Sequence, residues 1–344
     1  MLVALGLLFA NLSNPQFASR LAALFQPAAT PTQSTDGTAT LMALQAIATE
    51  TSARQPLTTP DASPTSSPTP SPTATAAPPS PTPSPAPTPL GGGYGQIAFV
   101  SDRSGVSEIY LVNIDGTGLK QITSIPEGAC QPRWSPDGMR LAFVSPCTRD
   151  QDEYPGASLF LIDFDGSNLT PLPSAPGGDF DPSWSPDGTR IVFTSFRRNR
   201  VPSLYVLNLL DNSVTHIGDP AGHFTSNASW SPTDELIAYV AADSRLYVMQ
   251  PDGTASTRLL IGSDEYSNSD PIWSPDGSVV LFTRLPWDAT NNVSSLWAVN
   301  YSPEGGMATE ISNSTLAFDP SFSPDGFWLV FKSYVSGSHD IYIM

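Results

Sequence analysis

The chain has 344 residues, enough for two average domains or one large repeat domain, and carries a formal net charge of −17. So acidic a surface repels phosphates and anionic lipid, making nucleic acid a poor partner and favouring cations or basic groups. Its two cysteines, Cys130 and Cys147, stand outside any metal-type spacing such as C-x-x-C.

In chain order, the first element is the apolar run MLVALGLLFA. It is shorter than the roughly 20 residues a membrane-spanning helix needs and lacks the basic flank of a secretory signal. Residues 1–25 are therefore expected to hold a clipped signal or an anchor, the latter tethering the chain to a membrane. Thr40 to Glu50 has helical composition and suggests no function. Thr51 to Leu90 is almost wholly Pro, Thr, Ser and Ala, with only Arg54 and Asp61 charged. Such a stretch buries no core and is expected to be a disordered, polyproline-like stalk reaching on the order of 100 Å at ~3.1 Å per residue. The sequence thus divides into 1–25, a low-complexity linker 26–90, and a domain 91–344 with 13 basic and 29 acidic residues.

That domain is a repeat array. WSPDG occurs at 134–138, 184–188 and 273–277, with WSPTD at 230–234 and FSPDG at 322–326, at intervals of 50, 46, 43 and 49 residues. Spacings of this size make each unit one supersecondary element. In the second copy, Phe180–Ser185, Thr189–Ser195 and Ser203–Leu209 read as strands, and SVTHIG closes the unit. Ser-Pro-Asp-Gly between the first two suits a type I turn, because proline pre-sets φ and glycine tolerates φ > 0. The second strands, IAFV at 97, LAFV at 141, IVFT at 191, IAYV at 237, VLFT at 280 and LVFK at 329, barely alternate. A near-continuous apolar strand is covered on both faces, as in a propeller blade between its neighbours. The motif tryptophans and Phe322 are then inter-blade core aromatics.

The pattern x-P-x-W-S-P-D-G-x-x-I-x-F-x-S, followed by I/L-Y and D-G, resembles the TolB-type β-propeller repeat over Gln96 to Met344. The resemblance implies a fold; it does not imply an activity, because such repeats occur in binding proteins, peptidases and lyases. Second and third strands recur six times, first and fourth strands five times. The fold class is therefore all-β: a six-bladed β-propeller of four-stranded antiparallel blades after a disordered Pro/Thr/Ser-rich stalk. The two missing strands belong to the inner position of blade one and the outer position of blade six. Residues just before Gly91 are candidates for one of them, although proline tolerates only edge positions.

The turns PDG and DG are short and share one side; the long connections lie on the other, where scaffolds place function. Arg197, Arg198 and Arg200, with Trp287, Tyr154 and Tyr266, are expected there as exposed groups. Three residues before each motif aromatic stand Gln131, Asp181, Asn227, Asp270 and Asp319. These five are expected to ring the channel mouth, with Asp181, Asp270 and Asp319 as oxygen donors for Ca²⁺ or for a partner's cationic side chain. Cys130 and Cys147 flank a hairpin folded at Pro136–Gly138, which brings them opposite each other and predicts a disulfide and an oxidising compartment. His216, His223 and His339 fall in different blades, and no G-x-S-x-G elbow or H-x-x-x-H pair occurs. The expected function is a non-catalytic, monomeric binding or scaffold module that is secreted, periplasmic or cell-surface. It would engage a protein or cell-envelope glycan through the long-loop face, with ligand contacts from the five ring residues, Arg197 and Trp287. The alternative is a propeller-fold hydrolase or lyase acting on a polysaccharide or peptide.

Overall fold

The computed structural model describes residues 95–344 apart from 148–153, 199, 220–222, 262–265 and 287–292. The apolar N-terminus, the linker, residues 91–94 and Trp287 lie outside the described residues. Everything described is strand, turn or loop, apart from a single 3₁₀-type residue at Gly95.

Six antiparallel sheets follow one another along the chain. Blade one holds β1 (Gln96–Ser101), β2 (Glu108–Asn113) and β3 (Lys120–Gln121). Blade two holds β4 (Cys130–Trp134), β5 (Arg140–Ser145), β6 (Ser158–Asp163) and β7 (Thr170–Pro171). Blade three holds β8 (Asp179–Trp184), β9 (Arg190–Ser195), β10 (Ser203–Asn208) and β11 (Val214–His216). Blade four holds β12 (Thr225–Trp230), β13 (Ile237–Ala241), β14 (Leu246–Met249) and β15 (Thr257–Arg258). Blade five holds β16 (Tyr266–Trp273), β17 (Val279–Pro286), β18 (Ser295–Asn300) and β19 (Thr309–Glu310). Blade six holds β20 (Ala317–Phe322), β21 (Leu329–Ser333) and β22 (Asp340–Ile343). Among the described residues, then, four blades are complete and two have three strands. The places left over are those the repeat count indicates.

The turn chemistry follows the sequence. In blade three Gly188 N–H donates to Ser185 O at 2.9 Å with Gly188 at φ 68°, and Gly138, Gly277 and Gly326 take the same left-handed conformation. Ser185 Oγ donates to Asp187 Oδ1 at 2.5 Å, and Arg190 N–H donates to Ser185 Oγ at 2.9 Å. The serine thus clamps both ends of the turn.

Five hydrophobic clusters fill five inter-blade spaces. Phe180, Trp184 and Phe193 of blade three pack with Cys130 and Val144 of blade two, and the other four clusters join blades one–two, three–four, four–five and five–six. Trp184, Trp230 and Trp273 are buried within them. Two of these indoles are also tied across the boundary: Trp184 Nε1 donates to Arg133 O and Trp273 Nε1 to Ser229 O, each at 3.1 Å.

Candidate channel-mouth site

The inner strand of each of blades two to six contains a bulge at one fixed place. Pairing with the second strand shifts register between Cys130 and Arg133, Phe180 and Ser183, Ser226 and Ser229, Ser269 and Ile272, and Phe318 and Ser321. Within each shift sits a non-glycine residue in the left-handed region: Gln131 (φ 52°), Asp181 (53°), Asn227 (49°), Asp270 (50°) and Asp319 (50°). That conformation costs an L-residue about 1–2 kcal/mol and is best tolerated by Asn and Asp, so repeating it in five blades marks a built feature.

The bulge turns these side chains toward one another. Gln131 Nε2 donates to Asp181 Oδ1 at 2.6 Å, and Asp181 N–H returns a bond to Gln131 Oε1 at 2.8 Å. Thr194 Oγ1 donates to Asp181 Oδ2 at 3.1 Å, and Asn227 Nδ2 donates to Asp270 Oδ1 at 3.2 Å. Asp270 adjoins Asp319, whose Oδ2 accepts from Lys332 Nζ at 2.7 Å. The structure therefore brings all five residues together as a hydrogen-bonded belt. It stands at the end of the blades that carries the long connections, because Phe180 pairs with Thr194 at the far end of β9.

Two carboxyls in the belt are driven in opposite directions. Burial pushes Asp181 up to about 6, against the hydrogen bond from Gln131 and the charge of Arg133. For Asp319, crowding at the mouth is outweighed by the Lys332 ammonium and by Arg133, which hold the carboxyl below its usual range. No group of three or more His, Cys, Asp or Glu side chains is disposed to hold a metal among the described residues. In the structure Asp181 and Asp270 accept from Gln131 and Asn227 of the belt, and the cation beside Asp319 is the chain's own Lys332.

The expectation for Arg197 is corrected. Its guanidinium is turned inward, donating to the fully buried Asp179 and lying over Phe193 and Tyr205. Tyr154, expected to be exposed, is 1% exposed and packs against Phe180. Tyr266 is half-buried against Trp297, with the Arg284 guanidinium lying over both rings. Cys130 and Cys147 are joined in a disulfide with Cα atoms 5.8 Å apart. The route differs from simple cross-strand pairing: the bulge sets Cys130 opposite Val144, and Cys147 is brought back by its N–H donating to Glu127 O at 2.8 Å.

Thr194, Lys332 and Arg133 belong to the site and were missed in the sequence. For Thr194 and Lys332 the signal was present, since IVFT and LVFK place a polar residue at the fourth position of an otherwise apolar strand. That position lies opposite Phe180 and Phe318, beside the bulged aspartates.

The family model for the TolB beta propeller domain matches residues 80–304. A protein TolB homolog of Chlorobium luteolum is 31% identical over 188 residues, covering 54% of this chain and 30% of its own length. The uncharacterized peptidase YuxL of Bacillus subtilis is 27% identical over 162 residues, covering 35% of this chain and 24% of its own. The chain spans less than a third of the length of these curated relatives. Among solved structures, TolB from Acinetobacter baumannii superposes with a TM-score of 0.60 at 21% identity, covering 74% of this chain and 62% of that one, a likeness of fold. With the family match extending over well more than half of its length, the chain belongs to the TolB β-propeller domain family.

Proposed function

We propose that this propeller is a non-catalytic, extracytoplasmic binding module that engages a protein partner at the channel mouth and the long-loop face around it. The observation that carries the reading is the belt from Gln131 to Asp319: five side chains held in an unfavourable backbone conformation, lined up by mutual hydrogen bonds, with Arg133 exposed beside them. A belt of acceptors bordered by Arg133 and Lys332 suits an inserted peptide offering both charges. The extracytoplasmic location is supported by the disulfide and by family membership. Tethering through residues 1–25 is part of the proposal, and membrane fractionation of the full chain tests it.

The experiment is capture of cell-envelope proteins on the immobilised full chain, compared with a variant carrying Asp181→Asn and Asp270→Asn. A folded variant with at least a tenfold loss of specific capture supports the reading. Unchanged capture removes the channel mouth as the site. Capture of envelope glycan instead of protein moves the partner class, and turnover of a peptide or polysaccharide that is lost in the same variant favours the enzyme reading.

A further inference from the structure

One side-chain unit is built twice at the long-loop end of the blades, in blade three and in blade one. In blade three, Ser195 Oγ accepts from Arg197 N–H at 3.1 Å and from Arg197 Nε at 3.0 Å, and the guanidinium lies 5.0 Å from the Phe193 ring centroid and 4.8 Å from that of Tyr205. In blade one, Ser101 Oγ accepts from Arg103 N–H at 3.4 Å and from Arg103 Nε at 2.9 Å, with the guanidinium 5.4 Å from Phe99 and 4.9 Å from Tyr110. The ring pairs are equivalent, since Phe99 faces Tyr110 across β1 and β2 as Phe193 faces Tyr205 across β9 and β10. The two units differ in the acid. Asp179 takes one carboxylate oxygen to Ser195 Oγ and the other to Arg197 Nη2. Among the described residues, no acceptor meets the Arg103 Nη atoms or the Ser101 hydroxyl proton.

Blade five repeats the arrangement with other residues. Arg284 lies 5.2 Å from Phe282 and 4.4 Å from Trp297, and its Nε donates to Asn268 Oδ1 at 3.0 Å. Asn268 stands two residues before Asp270 of the belt, as Asp179 stands two before Asp181. In both blades, then, the guanidinium over the ring pair is met by a side-chain oxygen. The acids beside Arg103 do not supply one. Glu108, opposite Ser101 in the ladder, is buried and accepts from Thr123 Oγ1 and the Ile125 N–H. Arg103 is paired with no carboxylate among the described residues, its neighbour Asp102 included. It is nonetheless held: stacking and the serine bond fix an exposed guanidinium in one orientation, leaving little freedom to lose when an anion arrives.

We propose that Arg103 and Ser101 form a carboxylate-binding site on blade one, filled by an aspartate or glutamate side chain of a partner protein. One carboxylate oxygen accepts from Arg103 Nη2 and the other from the Ser101 hydroxyl, the arrangement that blade three makes with Asp179. Two donors on separate side chains fit a two-oxygen anion, whereas Arg284, with no serine beside it, is satisfied by the single amide oxygen of Asn268. On a chain of net charge −17, an exposed and preoriented guanidinium selects an acidic contact and fixes where it docks. The site lies at the end of β1 that carries the long connection to β2, on the face proposed to engage a protein. Its preference for a carboxylate is independent of that reading; only the assignment of the carboxylate to a protein rests on it.

Acetate, titrated into the full ¹⁵N-labelled chain at constant ionic strength, is the probe. The Arg103 Nε–H and backbone amide should shift saturably, while the Arg197 Nε–H, whose guanidinium Asp179 already holds, stays in place. Arg103→Lys should weaken the amide response at least fivefold and Ser101→Ala at least twofold. No saturable shift, an equal response to chloride or phosphate, or an unchanged response in Arg103→Lys overturns the site. So does an Arg103 Nε–H that exchanges as slowly as that of Arg197 before acetate is added and does not move on titration, because the guanidinium is then already paired within the chain. Capture of cell-envelope proteins on immobilised Arg103→Met identifies the owner of the carboxylate. A loss of at least fivefold relative to the parent assigns it to a protein; unchanged capture, or a parent that captures nothing, overturns that assignment in favour of a free small carboxylate. The variant carrying Asp181→Asn and Asp270→Asn should keep the full acetate response, so failure at the channel mouth and failure at Arg103 are told apart.

Discussion

Arg197 Nη2 donates to Asp179 Oδ2 at 2.8 Å, and the Asp179 side chain has no exposed surface. Ser195 Oγ donates to the other carboxylate oxygen at 2.5 Å and accepts from Arg197 Nε at 3.0 Å, so serine, arginine and aspartate form one closed unit at the start of β8. The guanidinium lies 4.8 Å from the Tyr205 ring centroid and 5.0 Å from that of Phe193. Removing it leaves a buried carboxylate unpaired, a change that costs about 3–5 kcal/mol. Arg197→Met is therefore expected to lower the stability of the propeller by that order in denaturant unfolding, while partner capture by the fraction that remains folded is unchanged. Arg103, which stacks on Tyr110 at 4.9 Å with its side chain exposed, should cost under about 1 kcal/mol when replaced by methionine.

The disulfide closes the bulged hairpin of blade two at the belt. Reduction, or Cys130→Ala with Cys147→Ala, should destabilise by about 3 kcal/mol for a loop of this length. The loss should appear as a lower unfolding midpoint in urea with a similar slope. An unchanged midpoint under full reduction would mean that the inter-blade packing of Phe180 and Tyr154 alone holds this corner.

The buried Ser185 hydroxyl joins the two strands of the blade-three turn, so Ser185→Ala strands the Arg190 N–H without its acceptor. A cost of about 1–3 kcal/mol is expected in chemical unfolding. The turn partner Asp187 feels the penalty of partial burial, but bonds from Ser185 and from the Thr189 N–H outweigh it and hold its carboxyl below the ordinary range. Its contribution is full above the unfolded value near 4 and is lost as pH falls through the lower folded value.

The blades were legible because their signals are local and repeated. The apolar run LAFV and the turn SPDG dictate β5 and its hairpin from neighbouring residues alone, and counting the copies gave the two three-stranded blades. The position of the belt was also legible, from the polar residue three before each aromatic. Its wiring was not. That Asp181 meets Gln131 depends on a bulge that rotates one residue into the left-handed region, and no composition signal states which way that side chain then turns. Arg197 was misjudged for a related reason: a basic residue in a long loop reads as solvated, and its burial depends on Asp179, 18 residues earlier, being brought beneath it by the pairing of β8 with β9.

Asp181 sets a pH dependence of the opposite sign to that of the turn aspartates. Its folded value, about 6, lies above the ordinary 3.8, so the folded state binds a proton between roughly pH 6 and 4 that the unfolded chain does not. The associated stability is fully present below the unfolded value and is lost as pH rises through 6; a shift of this size corresponds to roughly 3 kcal/mol by pH 8. Asp181→Asn keeps an oxygen to accept from Gln131 Nε2 and removes the charge. The variant should therefore unfold at a higher temperature than the parent at pH 8, with the gap closing near pH 4.5, where the parent carboxyl is itself protonated. A gap independent of pH would show that Asp181 is ionised throughout, held by Arg133 and the belt donors more strongly than burial opposes them. In that case the charge at the mouth, rather than a shared proton, is what a partner meets at neutral pH.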